Sequence, residues 1–178
     1  MNINIYRGTK EIGGTLIEIK TLSTRILIDA GYPLFLNSEP ISDDIAKLTH
    51  TDLLALGVLP PIEGLYQWDT ANFDAVLISH AHIDHYGLLK YINPAIPVYM
   101  SAGTYTLISV SQCFQITDRF ELEVRNFDMY IPFQIGDIHI KPYLMDHSAF
   151  DAAAFEITAE GKTVTYSGDF RGHGRKAV

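Results

Sequence analysis

The alternation of apolar and polar positions predicts strands near both ends of the chain. Residues 2–6 and 15–19 alternate, and residues 25–28 are rich in side chains that favour strands. Further strands are predicted at residues 74–79, 97–100, 130–135, 138–144, 153–158 and 163–167. Gly136-Asp137 and Glu160-Gly161 separate the last strands in the way that tight hairpin turns do.

Three helices are predicted between these strands. Residues 42–56 have Ser42 or Asp43 as an N-cap and end before Gly57, and residues 86–92 also look helical. Residues 102–116 carry a helical apolar pattern that includes Cys113, which suggests core packing for this side chain. Because strands outnumber helices and helices lie between some of them, the order predicts a layered α/β fold with largely antiparallel sheets.

Composition narrows the class of protein. The chain has 178 residues and 47% hydrophobic residues, which suits one folded domain. No apolar run approaches the roughly 20 residues that a membrane helix needs, residues 1–10 lack a signal-peptide pattern, and a single cysteine excludes an internal disulfide. We therefore expect a cytoplasmic protein without a membrane partner.

The net charge of −8 argues against a protein that coats nucleic acid non-specifically, because phosphate binding needs Lys and Arg. Carboxylates at a metal site would face bound cations, however, so the positive charge of those cations must be included in the net charge.

Four candidate metal ligands fall within residues 80–85, namely His80, His82, Asp84 and His85. Residues two apart in an extended segment point the same way, so His80 and His82 could reach one metal together. After a turn, Asp84 and His85 could face a second metal. Imidazole and carboxylate suit Zn²⁺, Mn²⁺ or Fe. The alternative is that these four side chains have only packing or surface roles. That alternative would require a separate explanation for each residue of one short run.

Two further candidates follow predicted strands. His147 comes just after the strand at residues 138–144, and Asp169 comes just after the strand at residues 163–167 beside Gly168, which permits close backbone approach. Each of them alone could equally be a turn residue. Together with the histidine run, both are predicted to be ligands.

The run at residues 80–85 resembles the HxHxDH signature of the metallo-β-lactamase superfamily, and Asp29, His147 and Asp169 match the other motifs of that family in order and spacing. The resemblance implies an αββα sandwich with two divalent metals, Zn²⁺ or alternatively Mn²⁺. It implies that one metal is bound by His80, His82 and His147, that the other is bound by Asp84 and His85, and that Asp169 bridges them. Asp29 would support the ligand histidines by hydrogen bonds.

Residues 78–87, 146–148 and 166–175 resemble the β-CASP branch of the superfamily, which includes ribonuclease J and related nucleases. This resemblance implies a nucleic-acid substrate, with RNA favoured, and cleavage of phosphodiester bonds by a metal-activated hydroxide. Asp84 would be the catalytic residue that orients the hydroxide and moves its proton. Candidates for phosphate contact are Arg171, His173 and Arg175, whose alternative role is that of a solvated chain end.

One departure from the family concerns the length of the chain. Members of the β-CASP branch carry a long insertion and a further ligand histidine, and neither is found before Val178. We therefore expect residues 1–178 to be a single, truncated N-terminal domain without a β-CASP domain, in which the second half of the sandwich is incomplete. An exposed sheet surface would favour a homo-oligomer. Two alternatives stay open: a hydrolase of small thioesters, lactones or lactams, and a non-catalytic metal-binding module.

Overall fold

Two β-sheets face each other in the computed structural model, which describes residues 1–36, 38–41, 45 and 47–172. The first sheet has six strands in the spatial order β1 (Asn2–Arg7), β2 (Leu16–Lys20), β3 (Arg25–Ile28), β6 (Ala75–Leu77), β7 (Val98–Ser101) and β8 (Val124–Phe127). The second has four strands in the order β12 (Lys162–Tyr166), β11 (Ala153–Ala159), β10 (Ile138–Leu144) and β9 (Phe133–Ile135). A small hairpin is formed by β4 (Phe35–Leu36) and β5 (Glu39–Pro40).

The helices lie on the outer side of the first sheet. Among the described residues, the α-helices are α1 (His50–Ala55), α2 (Ile83–Tyr86) and α3 (Ala102–Cys113), and a 3-10 helix covers Leu89–Tyr91. The segments that join β3 to β6, β6 to β7 and β7 to β8 contain α1, α2 and α3 respectively, and these crossovers allow the four strands to pair in parallel. The other strand pairs are antiparallel.

Two apolar cores follow from the alternation of side chains along the central strands. In β3, Ile26 and Ile28 join Phe155 in the core between the sheets, whereas Leu27 joins the core between the first sheet and the helices. Val76 of β6 also belongs to the helix-side core. Because both faces of these strands are buried, they read in the sequence as continuous apolar runs.

The helix predicted at residues 42–56 differs from the one observed. Helix α1 begins only at His50, because Thr49 forms a capping box with Asp52. Residues 42–44 and 46, with the expected caps Ser42 and Asp43, lie outside the described residues. Gly57 follows the helix with a φ of 75°, as predicted.

The other two helices are also corrected in part. Helix α2 begins at Ile83 rather than at Tyr86, so Asp84 and His85 lie in a helical turn. Helix α3 has Ser101 as its N-cap but ends at Cys113, whose side chain is exposed and not in the core. None of the helices in the described part of the chain has the length and apolar character that crossing a membrane requires.

The second sheet buries one face against the first sheet. Its other face is not covered by any helix of the described residues, so helices and two sheets supply three layers of the αββα sandwich. Side chains on that uncovered face are mostly polar and include Lys141, Glu156, Thr163 and Thr165. An exposed apolar sheet surface is instead found on the edge strand β1 of the first sheet, where Ile3 and Ile5 are 40% and 51% exposed. Self-association through a sheet surface stays a prediction.

Candidate metal site

The candidate ligands lie where strands of both sheets end. Beyond β6, Ile78 and Ser79 lead into His80, while His147 follows β10 and Asp169 follows β12. The two sheets are joined at this level, because the Ala153 N–H donates to the Ser79 carbonyl oxygen over 2.9 Å. Side chains from distant parts of the sequence therefore meet at one edge of the sandwich.

The first group consists of His80, His82 and His147. The Nδ1 atom of His82 is 3.1 Å from His80 Nε2 and 3.1 Å from His147 Nε2. His80 is completely buried, and the other two are half-buried. Three imidazole nitrogens that converge in this way match the ligand set that a divalent cation such as Zn²⁺ takes, so the group could hold one metal.

The second group is built around His85. Its Nε2 atom is 3.5 Å from Asp169 Oδ1 and 3.7 Å from Asp84 Oδ2. The other oxygen of Asp169, Oδ2, is 3.7 Å from His147 Nε2 in the first group. The Asp169 carboxylate thus lies between the two groups, with one oxygen toward each, which is the arrangement that a bridging ligand requires.

Asp29 supports the second group from below. This residue is fully buried at the end of β3, with a φ of 57° that few non-glycine residues adopt. Its Oδ1 accepts the Ser79 N–H over 2.7 Å, and its Oδ2 faces His85 Nδ1 at 2.7 Å. The bond to Nδ1 leaves Nε2 of His85 directed toward Asp84 and Asp169, as a ligand atom must be.

Burial and nearby charges give the two buried histidines, His80 and His85, very different pKa values. Burial, and then the positive charge of His85, lower the pKa of His80 to about 3, so His80 is neutral at pH 7. Burial also tends to lower the pKa of His85, but the charge and hydrogen bond of Asp29, assisted by Asp84 and Asp169, raise it to about 9. Without a metal His85 is therefore a cation paired with Asp29, and it must lose its Nε2 proton when it binds one.

Two serines in the site were not identified from the sequence. The Ser79 hydroxyl donates to Asp29 Oδ2 over 2.8 Å and lies 3.0 Å from His80 Nδ1, so it connects Asp29 to the first group. Ser148 Oγ is 3.5 Å from His82 Nε2. Both serines adjoin ligand histidines in the sequence and lie within the stretches that resemble the β-CASP branch, but neither was assigned a role from that resemblance.

Glycines hold the chain close to Asp84. A Cβ atom on Gly31 would lie 1.9 Å from the Asp84 carbonyl oxygen, and one on Gly13 would lie 2.5 Å from Asp84 Oδ2. Gly13 also has a φ of 79°. Only a residue without a side chain fits at either position, and neither was singled out from the sequence for this contact.

Of the three residues expected to contact phosphate, only Arg171 lies within the described part of the chain. Arg171 is exposed, and its backbone N–H donates to the Asp146 carbonyl oxygen over 2.7 Å. The pKa of His147 is lowered by burial first, then by the charge of His82, and also by the positive charge of Arg171. The effect of Arg171 indicates that its charge lies near the site. His173 and Arg175 lie outside the described residues.

Sequence comparison finds similarity to ribonuclease J from several bacteria. Ribonuclease J of Sinorhizobium meliloti is 30% identical over 116 residues, which are 64% of this chain and 20% of that protein. Ribonuclease J of Mycoplasma genitalium is 26% identical over 174 residues, which are 95% of this chain and 28% of that protein. The chain thus spans between a fifth and somewhat more than a quarter of these curated relatives.

A solved structure extends the similarity to the fold. A crystal structure of a protein of unknown function from Enterococcus faecalis superposes with a TM-score of 0.78 at 25% identity, covering 97% of this chain and 44% of that chain. The family model described as a beta-lactamase superfamily domain matches residues 24–176, which include every predicted ligand. The chain therefore belongs to the beta-lactamase superfamily and has the metallo-β-lactamase fold.

Proposed function

We propose that the chain carries the metal site of a hydrolase that cleaves phosphodiester bonds in nucleic acid, with RNA as the favoured substrate. The observation that carries this proposal is the position of Asp169, which directs one carboxylate oxygen toward each of two ligand groups. The matches to ribonuclease J support the choice of RNA. A cytoplasmic location, as expected from the sequence, forms part of the proposal.

The proposed ligands are those predicted from the sequence. One divalent metal would be held by His80, His82 and His147. A second would be held by Asp84 and His85, with Asp169 available to both. The donors are imidazole nitrogens and carboxylate oxygens, a set that fits Zn²⁺ and also accommodates Mn²⁺.

The chemistry follows from these positions. Bound divalent cations act as Lewis acids, which lower the pKa of a water molecule and offset charge on the phosphate. Asp84 Oδ2, which is 3.7 Å from His85 Nε2, is placed to accept the proton of the attacking water. Asp29 keeps His85 in the tautomer that offers Nε2 to the site.

Two exposed side chains beside the site suit a nucleic-acid substrate. Arg171 supplies a guanidinium for phosphate, and its charge is close enough to His147 to lower the pKa of that ring. Phe170 follows Asp169 directly and is 61% exposed, so its ring is available to stack on a base of a single strand.

The test measures metal content and cleavage with the same purified chain. We expect about two equivalents of Zn²⁺ or Mn²⁺ by elemental analysis, and cleavage of labelled single-stranded RNA that Asp84→Ala abolishes. Glu121→Ala is the matched control, because it removes an exposed carboxylate that lies outside both ligand groups.

Three results would contradict the proposal. Cleavage of neither RNA nor DNA with either metal would contradict nuclease activity of this chain. Hydrolysis of a thioester, lactone or lactam in its place would favour a small-molecule hydrolase. A metal content near zero would favour a non-catalytic module.

A further inference from the structure

A tyrosine of the second sheet reaches the residue that supports the metal ligands. Tyr166 is the last residue of β12, and its hydroxyl donates to Asp29 Oδ2 over 2.5 Å. Asp29 follows β3 of the first sheet. This hydrogen bond therefore joins the two sheets directly beneath the candidate site, between residues that are 137 positions apart in the sequence.

The oxygen that accepts this bond is a junction for the site. Asp29 Oδ2 is contacted by the Tyr166 hydroxyl, by His85 Nδ1 at 2.7 Å and by the Ser79 hydroxyl at 2.8 Å. The position of one carboxylate oxygen thus determines the ring orientation of His85 directly. Through Ser79, it also affects the ring of His80.

The Tyr166 hydroxyl is held in place and remains a donor. Its ring stacks on Phe155 in the core between the sheets, with centroids 6.4 Å apart and an angle of 13° between the rings. Burial, and then the negative charge of Asp29, raise the pKa of Tyr166 well above its ordinary value, so the phenol keeps its proton at neutral pH.

The segment after Tyr166 is short and closely packed. Asp169 is three residues further on, and Gly168 between them has a φ of 57°. A Cβ atom on Gly168 would lie 2.9 Å from the Ala153 carbonyl oxygen. A shift of the end of β12 would therefore be transmitted to Asp169 over very few bonds.

We propose that Tyr166 is a positioning residue, whose hydroxyl sets the end of β12 against Asp29 so that Asp169 on the second sheet meets His85 on the first. This inference rests on the proposed metal site. It assigns to Tyr166 a role in the geometry of the bridging ligand that is separate from general packing, because the ring can stay in the core when the hydroxyl is removed.

The test compares Tyr166→Phe with Tyr143→Phe. Tyr143 is a half-buried tyrosine of β10 in the same sheet, and its hydroxyl is outside the Asp29 junction. In chelator-competition titrations with Zn²⁺, we expect Tyr166→Phe to weaken binding of the second equivalent by about 10- to 100-fold, the range found when a residue that supports a ligand is removed. The absorption spectrum of the Co²⁺-loaded protein should change as well, and Tyr143→Phe should alter neither measurement.

A second measurement needs no metal. In the metal-free protein, the proton on His85 Nδ1 should exchange with water faster in Tyr166→Phe than in the wild type, as followed by NMR on ¹⁵N-labelled histidine. In the wild type, the Tyr166 hydroxyl proton should be visible and close to His85. A Tyr166 hydroxyl proton in fast exchange with solvent would overturn the proposal even if the variant did not fold.

The outcomes separate the positioning role from the metal site itself. Unchanged Zn²⁺ affinity and an unchanged Co²⁺ spectrum in Tyr166→Phe would overturn the positioning role, and so would equal losses in both variants. A wild-type protein that binds no metal, but whose His85 proton exchanges faster in Tyr166→Phe, would contradict the proposed function and support the contact between Tyr166 and Asp29.

Discussion

At the scale of single residues, three histidines of the site have their ring orientation restricted by contacts to the nitrogen that points away from the ligand groups. The ring nitrogen that points away from the ligand groups contacts Asp29 in His85, Ser79 in His80 and Ser148 in His82. The corresponding Nδ1 of His147 is buried and has no hydrogen-bond partner within the described part of the chain. The outer nitrogens of three rings are therefore oriented by polar contacts, whereas the polar contacts of His147 are made through its Nε2 atom, with His82 and Asp169.

Asp29→Asn tests the source of the charge on His85. The substitution replaces a buried carboxylate with a neutral amide, so we expect the pKa of His85 in the metal-free protein to fall from about 9. An NMR titration of the histidine ring protons measures this pKa. A value that stays near that of the wild type would show that Asp29 is not the main cause.

The same pair makes stability depend on pH. Because the pKa of His85 is raised above its ordinary value of 6.5, its charged form stabilises the folded state fully below pH 6.5. This contribution is lost as the pH rises through about 9. Urea denaturation of the metal-free protein should therefore show a larger deficit for Asp29→Asn at pH 6 than at pH 9.5, and an equal deficit at both values would contradict the assignment.

At the scale of secondary-structure elements, α2 depends on its surroundings. It has only four residues, which is too short for a helix to be stable by itself. Its carbonyl oxygens accept N–H groups from neighbouring segments: Thr15 donates to Asp84 over 3.2 Å, and Ala30 donates to His85 over 2.8 Å. The turn that carries two proposed ligands is thus held by the segments that follow β1 and β3.

Gly31→Ala should disturb this turn selectively. The added Cβ atom would meet the Asp84 carbonyl oxygen at 1.9 Å, so either α2 or the segment after β3 must move. Forced overpacking of this kind typically costs about 1–3 kcal/mol, and we expect a loss of that size in urea denaturation together with loss of the second metal equivalent. Gly172→Ala is the control, because its added Cβ has no neighbour within 4 Å. Equal stability and metal content in the two variants would show that the contact is not tight.

At the scale of the whole molecule, the packing of the two sheets assembles the site. His80, His82 and His85 come from the end of the first sheet, whereas His147 and Asp169 come from the second. The core between the sheets includes Phe155, Phe127 and Ile157, and the rings of Phe155 and Phe127 meet edge to face at 5.5 Å. The distance between the sheets therefore sets the distance between the ligands.

Phe155→Ala tests this dependence. The side chain is fully buried, so we expect a loss of about 3–5 kcal/mol in the free energy of unfolding. The cavity would also lie next to Tyr166, so Zn²⁺ affinity should fall in the fraction that remains folded. Thr165→Ala, on the exposed face of the same sheet, should change both quantities little. Wild-type metal affinity in folded Phe155→Ala protein would show that the site tolerates a change in sheet packing.

The sequence by itself determined the features that depend on neighbouring residues, namely most strands and the types of the candidate ligands. Most strands were predicted because alternation and turn residues are local signals, and the residues brought together at the site were predicted because ligand types recur at strand ends. The edge strand β8 was missed because three of its four residues are not buried, which leaves little apolar pattern. The start of α2 was also misplaced, because that short helix is held by contacts with distant segments.

Only the tertiary structure decided how these residues are held. The contact of the Tyr166 hydroxyl with Asp29 and the contact of Gly31 with Asp84 both join segments that are far apart in the sequence. Nothing near these residues in the chain reveals their partners, because each contact exists only after the sheets have packed. The ligand types were thus set by local chemistry, whereas their geometry is set by the packing of the two sheets.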